Sequence, residues 1–234
     1  MLRTISFSFN PFPEAPESFL PCPASMKEDA MKNGQLKPAY NVQHGVDAEY
    51  ITWLTVGPEP TDTTTLIPFL KSMKENLNFK YLKIVADAGY ESEENYSFIE
   101  ENNQISFIKP SNYEISKTRK YKNDISRIDN MDYYSESDLF ICQNGKKLIA
   151  NWIKIRKSKT GYESVKTIYI CEDCSNCNYK SQCIKGNNSK ISLEKRTKKF
   201  ETSKKFNRQR KEDLERIITD EGILLKMNRS IQAE

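Results

Sequence analysis

No run of apolar residues in this chain approaches the roughly 18 to 20 that a membrane-spanning helix needs, because Lys, Asp or Pro interrupts the longest candidates. A soluble, cytoplasmic protein without membrane contact is expected. Histidine is almost missing: His44 is the only one, and its place in a β-prone run suits packing better than metal ligation. Nothing suggests a nucleophilic triad. Internal repeats and low complexity are absent too. The first 25 residues hold hardly a charge, and an early Arg with some apolar character raises the question of a secretory signal. Pro11, Pro13, Pro16, Pro21 and Pro23 break any helical apolar core there, so residues 1–25 are expected to form an irregular Pro-rich tail. Without an export signal, the six cysteines are expected to be reduced.

What is present is wetter than an average compact enzyme. Charged residues make up 29% and the mean hydropathy is −0.72, so long exposed segments are expected in a chain of 234 residues. That length suits one large domain, or one domain carrying an inserted module. The formal net charge of +4 is modest but uneven: from Lys185 to Arg216 there are twelve Lys or Arg against five Asp or Glu. Such a run is a solvated helix face or a phosphate-binding surface.

Two β-prone runs, Tyr40 to Val46 and Tyr50 to Val56, flank a polar Asp47-Ala48-Glu49 turn and predict an antiparallel hairpin. A helix is expected over Thr61 to Asn76, with Pro68 tolerable only in its first turn. The short apolar run Leu82 to Ala86 predicts a strand that ends in Asp87, before Gly89 where the backbone can turn. Ser92 can cap a helix through Glu101, and ISFIKP gives another strand, a spacing that suggests a parallel crossover in an α/β sheet. Residues Ser111 to Asn130 are polar and aperiodic, and read as a loop or mobile arm. Asn144-Gly145 marks a second hairpin, GYESVKTIYIC a third strand, and together they predict a small β module. Helices are expected over Ser203–Thr219 and Glu221–Glu234, with Leu214, Ile217, Ile218, Ile223, Leu224 and Met227 on the apolar side.

Three groups of residues carry candidate chemistry. Cys171, Cys174, Cys177 and Cys183 are spaced C-x2-C-x2-C-x5-C, and C-x2-C turns bring sulfurs within reach of one tetrahedral zinc ion. Cys142 in the neighbouring hairpin is an alternative to Cys171, and four ordinary reduced thiols are the alternative to a metal. No general base accompanies the cluster, so any zinc there is structural. Asp87 sits where α/β folds place metal ligands, although Asp at a strand end is also a common turn former. Glu234 follows Arg229 and Ser230 by about one helical turn, which would put Arg229 near DNA phosphate beside that carboxylate.

Five blocks, LKPAYNVQHGVDAEY, IVADAGYESEENY, the IKPSNYE junction, the CxxCxxC cluster and MNRSIQAE, occur in that order. In this order they resemble the DDE transposases of bacterial insertion sequences, in the branch with a cysteine-bearing insertion before the final Glu. The likeness runs from about residue 26 to 234. It implies an α/β RNase H-like mixed sheet with flanking helices, interrupted by a small β/cysteine-rich, zinc-ribbon-like insertion. The divisions become a partial catalytic core over 26–110, an inserted hairpin and cysteine module with a basic linker over 111–200, and C-terminal helices over 201–234. It further implies DNA as partner, with Arg229, Lys198, Lys199, Lys204 and Lys205 as contacts, and a homo-oligomer in the complete family member. Asp87 would be the second and Glu234 the third of three carboxylates that hold two Mg2+ ions about 4 Å apart for strand cleavage and transfer. The region that carries the first Asp in such transposases is replaced here by the Pro-rich tail, and Asp47 does not fill its place. An incomplete, inactive copy is therefore expected, with a catalytically dead DNA-binding remnant and an RNase H-like nuclease as competing readings.

Overall fold

The computed structural model describes residues 24–25, 38–186 and 190–232, so the expected tail lies almost wholly outside the described residues. The first elements are two short strands, β1 (Ala24–Ser25) and β2 (Pro38–Ala39), paired antiparallel. The predicted hairpin follows as β3 (Asn41–Asp47) and β4 (Tyr50–Gly57), with Ala48 at φ 55° in its turn. Helix α1 (Leu66–Leu77) holds Pro68 in its first turn, where a missing N–H costs nothing, and buries Leu66, Phe69, Leu70 and Met73. These residues form a core with Ile84 of β5 (Lys83–Ala86), Tyr96 and Ile99 of α2 (Glu93–Glu101) and Ile108 of β6 (Ile105–Ile108). Ser92 caps α2 as expected, its hydroxyl accepting from the Asn95 N–H at 3.1 Å. Strands β5 and β6 run parallel through α2, with Lys83 opposite Ile105 and Ala86 opposite Ile108, so the crossover reading holds.

The expected single mixed sheet is not formed among the described residues. β3–β4 and β5–β6 are separate two-stranded sheets, and the larger sheet belongs to the second half of the chain. Hydrophobic pattern predicts strands; it does not say which edges meet.

Residues 111–130 correct a second expectation. They are ordered as α3 (Tyr113–Ser116), α4 (Arg119–Lys122) and a short 3-10 turn over Ile128–Asn130. Tyr121 is the cause: its ring is buried, Arg127 stacks over it at 4.1 Å, and its hydroxyl bonds Asp129 and accepts from Asn112 at 2.9 Å. A single aromatic anchor leaves no periodic trace.

The small β module is larger than read from sequence. β7 (Asp132–Tyr134), β8 (Leu139–Ile141), β9 (Lys147–Lys157) and β10 (Glu163–Cys171) are antiparallel neighbours. A short helix, α5 (Lys180–Cys183), precedes β11 (Lys199–Thr202), which completes a five-stranded sheet in the order β11-β10-β9-β8-β7. Gly145, at φ 70°, takes the left-handed turn between β8 and β9. The β9–β10 hairpin lies against α2: the Lys166 ammonium is 3.1 Å from Glu93, and the Tyr162 and Ser97 hydroxyls are 3.0 Å apart.

Helices α6 (Lys204–Ile217) and α7 (Asp220–Gln232) match their expected spans, but not their expected faces. Of the six residues assigned to the apolar side only Ile217 is buried, while Leu214, Ile218, Ile223, Leu224 and Met227 are exposed. α6 buries a polar line instead, Gln209 and Asp213, one helical step apart and ending at Ile217. The apolar rule failed because the partner is the polar edge of β6: Asp213 accepts from the Ser106 hydroxyl at 2.6 Å and the Ile108 N–H at 2.7 Å. Gly222 lets α7 cross the end of α6, since a Cβ there would lie 2.2 Å from the Arg216 carbonyl oxygen.

Candidate functional site

Asp87 stands at the C-terminal tip of β5, as its sequence context predicts, and its side chain is about half exposed. The turn beneath it is held by groups that the motif reading did not single out. Asp62 accepts from Asn41 Nδ2 at 2.9 Å and from Gln43 Nε2 at 3.3 Å, and Gln43 Oε1 accepts from the Tyr90 hydroxyl. Burial, and then the Asp62 charge, push the Tyr90 phenol up to about 12, so it stays a donor at neutral pH. Gly89 is needed for closeness rather than for a left-handed turn, because a Cβ there would lie 2.7 Å from Asp62 Oδ2. Asn95 closes the frame, donating to the carbonyls of Thr63 at 3.0 Å and Tyr90 at 2.7 Å. Asn and Gln in the middle of a β-prone run, at 41 and 43, were the available signal, because strand interiors rarely keep amides without a fixed partner.

Arg229 of α7 reaches Asp87, with a guanidinium nitrogen 3.6 Å from the carboxylate. α7 is held to the same strand by an ion pair between Lys83 and Glu221. Glu234, the other expected acid, lies outside the described residues, as do any contacts it makes. Asp47 is the last residue of β3, paired with Tyr50 beside the hairpin turn. His44 is exposed on β3 and is not the packing residue expected, because its face of the hairpin, shared with Val42, Leu54 and Val56, has no covering element among the described residues. No group of three or more His, Cys, Asp or Glu among the described residues is placed to hold a metal ion. One described carboxylate beside a guanidinium does not fit a pair of divalent cations, and no metal-dependent step is derived from it.

The cysteines come together from the β8–β9 turn, the end of β10, the loop after it and α5. Cys142, Cys171, Cys174, Cys177 and Cys183 all line one cavity of about 20 Å3, and no disulfide links the described cysteines. Cys171 is part of the buried cluster with Met131, Phe140, Leu148 and Tyr169, and its thiol donates to the Asp173 carbonyl at 3.4 Å. Burial pushes that thiol up to about 12. Cys174 Sγ accepts from the Lys198 N–H at 3.3 Å. As they stand, no three of these sulfurs share an ion-holding arrangement.

The basic candidates are scattered over two regions. The Lys198 ammonium is turned inward and donates to the Ser126 carbonyl at 2.6 Å and the Cys183 carbonyl at 3.1 Å. Lys199 lies over the Trp152 ring at 5.0 Å, Lys204 is 2.6 Å from Asp138, and Lys205 lies 5.9 Å from the Tyr162 ring centre. Arg229 is apart from them, on α7. The cross-strand register places Trp152 and Lys154 of β9 on the same face as Lys199, a grouping the sequence run did not reveal.

No helix among the described residues is long and apolar enough to cross a membrane. Comparisons with curated proteins and with solved structures return no match. The C-terminal two fifths of the chain, residues 141–234, comprising most of the five-stranded sheet, the cysteine cluster, α6 and α7, match the family model described as a transposase DDE domain, a likeness that supports a DDE transposase.

Proposed function

We propose that this chain is the Asp87-bearing part of a transposase of bacterial insertion-sequence type, with DNA as its partner and metal-dependent strand cleavage and transfer as the family chemistry. The observation that carries the reading is the pairing of Asp87 with Arg229. It brings the tip of β5 to α7, the last helix of the segment that matches the transposase domain. In the resemblance Asp87 is the second acid, Glu234 the third, and each is a Mg2+ ligand. Two-metal chemistry needs three carboxylates converging on two cations, and in the resemblance the first of them has no counterpart in this sequence, so the 234-residue chain alone is read as inactive. Incubated with Mg2+ or Mn2+ and DNA carrying the element's ends, both it and Asp87→Ala are expected to leave the strands intact. Cleavage by the parent that Asp87→Ala abolishes would overturn the inactivity and establish Asp87 as catalytic.

The cysteine cluster is read as a structural zinc site of Cys174, Cys177 and Cys183 with one further thiolate. Five soft donors around one cavity support this, although the sulfurs would have to draw together around the ion. Cys142 is favoured over Cys171 as the fourth ligand, because Cys171 is committed to the apolar cluster and to the Asp173 carbonyl. Protein purified without an affinity metal is expected to carry about one zinc per chain. Cys142→Ser should lose the metal and Cys171→Ser should keep it. A metal-free, folded parent whose thiols all react freely would rule the site out.

A further inference from the structure

The chain has two tryptophans, and the fold uses them differently. Trp53 packs against the α1 core, whereas Trp152 joins neither buried cluster and keeps 44% of its surface exposed. A ring of that size left in water forfeits the burial that makes Trp stabilising elsewhere. Charged groups are gathered around it instead. Along β9 the register puts Lys154 two residues beyond Trp152 on the same face, and across β10 it puts Lys199 and Glu201 of β11 there too. The Lys199 ammonium lies 5.0 Å from the indole ring centre, and Lys154, about 7 Å along the strand, is exposed. Glu201, the carboxylate in this group, is neutralised by Arg156, which donates to its two oxygens at 2.9 and 2.8 Å. The surface around the ring is therefore positive.

We propose that Trp152 is the stacking platform for an unpaired base of single-stranded DNA, with Lys199 and Lys154 on the phosphates that flank it. An exposed indole between ammonium groups on a sheet surface meets both parts of a single strand at once, its charge and the face of a base. A duplex offers only the charge, because each of its bases is already stacked on both faces. The cation over one face of the indole does not compete with this, since a guest that stacks displaces a contact worth about 0.5–1 kcal/mol at an exposed site. Every base has such a face, so no sequence preference is expected. The inference rests on DNA being the partner of this chain, and it needs neither Asp87 nor any metal.

Titration of the full chain at low salt with an end-labelled oligothymidylate of about 12 nucleotides, beside a labelled duplex of the same length, tests it by anisotropy. Trp152→Ala should weaken oligothymidylate binding by about tenfold and leave duplex binding within about twofold, while Trp152→Tyr, which keeps a ring, should hold most of the single-strand affinity. In Trp53→Phe only Trp152 emits, and its fluorescence should be quenched by the oligothymidylate and not by the duplex; the anisotropy of the Trp152 variants needs no change at Trp53. Single-strand affinity that is unchanged in Trp152→Ala overturns the proposal. So does an equal loss for single strand and duplex, which would make the ring a mere support for Lys199. In both cases the DNA reading stands. A folded parent that binds neither DNA overturns that reading along with the proposal.

Discussion

Asp213→Ala is expected to lower the folding free energy by about 3 kcal/mol, the cost of leaving buried partners of a removed carboxylate unsatisfied. Asp213 is fully buried on α6 and ties that helix to β6 through the Ser106 hydroxyl and the Ile108 N–H, with Arg216 at 3.2 Å completing its shell. Removing it strands the buried Ile108 N–H and Ser106 hydroxyl, takes away the partner of the half-buried Arg216 and leaves a void, so Tm should fall by about 10 °C in a chain of this size. Lys211→Ala, on the exposed side of the same helix, should stay within about 0.5 kcal/mol of the parent. Desolvation raises the Asp213 carboxyl, with Ser106, Ile108 and Arg216 opposing it. A folded-state pKa above the unfolded value favours the protonated native form, so this contribution is complete below about pH 4, the unfolded carboxyl value, and is lost as pH rises through the folded one. The stability of the parent relative to Asp213→Asn should accordingly decline as pH rises from about 4 toward neutral. A Tm unchanged in Asp213→Ala, or a parent-to-Asn difference that grows with pH, would show that the tie is not structural as described.

Asp213 also illustrates where sequence stops being informative. Caps, turns and short strands were legible because their causes are local: Ser92 accepts from Asn95 three residues on, Pro68 sits in a first turn, and Asn144-Gly145 supplies its own left-handed φ. The tip position of Asp87 followed from the same local logic. What escaped was set by pairs far apart in the chain. The buried face of α6 reads as polar because its partner Ser106 is 107 residues away. The frame under Asp87 joins Asn41, Gln43, Asp62 and Tyr90 from three segments, and no spacing rule links an amide on one strand to a phenol after another. Tyr121 orders a segment that lacks any periodicity, through one ring. The division of the strands into separate sheets is of the same kind, since period-two alternation fixes a face and leaves the neighbouring edge open.

Those long-range pairings also reduce the number of cations free to meet DNA, and so set the expected salt dependence. Of the five basic candidates, Lys198 donates to two carbonyls, Lys204 pairs with Asp138 and Arg229 pairs with Asp87. Lys199 and Lys205 are exposed and lie over aromatic rings, with no ion pair among the described residues, and Lys154 shares the sheet face of Lys199. Three neutralised phosphates give a slope of log K against log salt near −2.7, so duplex affinity should fall about 40-fold between 50 and 200 mM salt, without sequence preference. Replacing Lys199 and Lys205 together by Glu should reduce that slope by about two, whereas Lys198→Gln should act on stability and leave the slope unchanged. A titration of unrelated duplexes, repeated on the variants, measures both quantities. A footprint confined to one sequence and surviving high salt would mean that bases, not this Trp152-centred face, are being read.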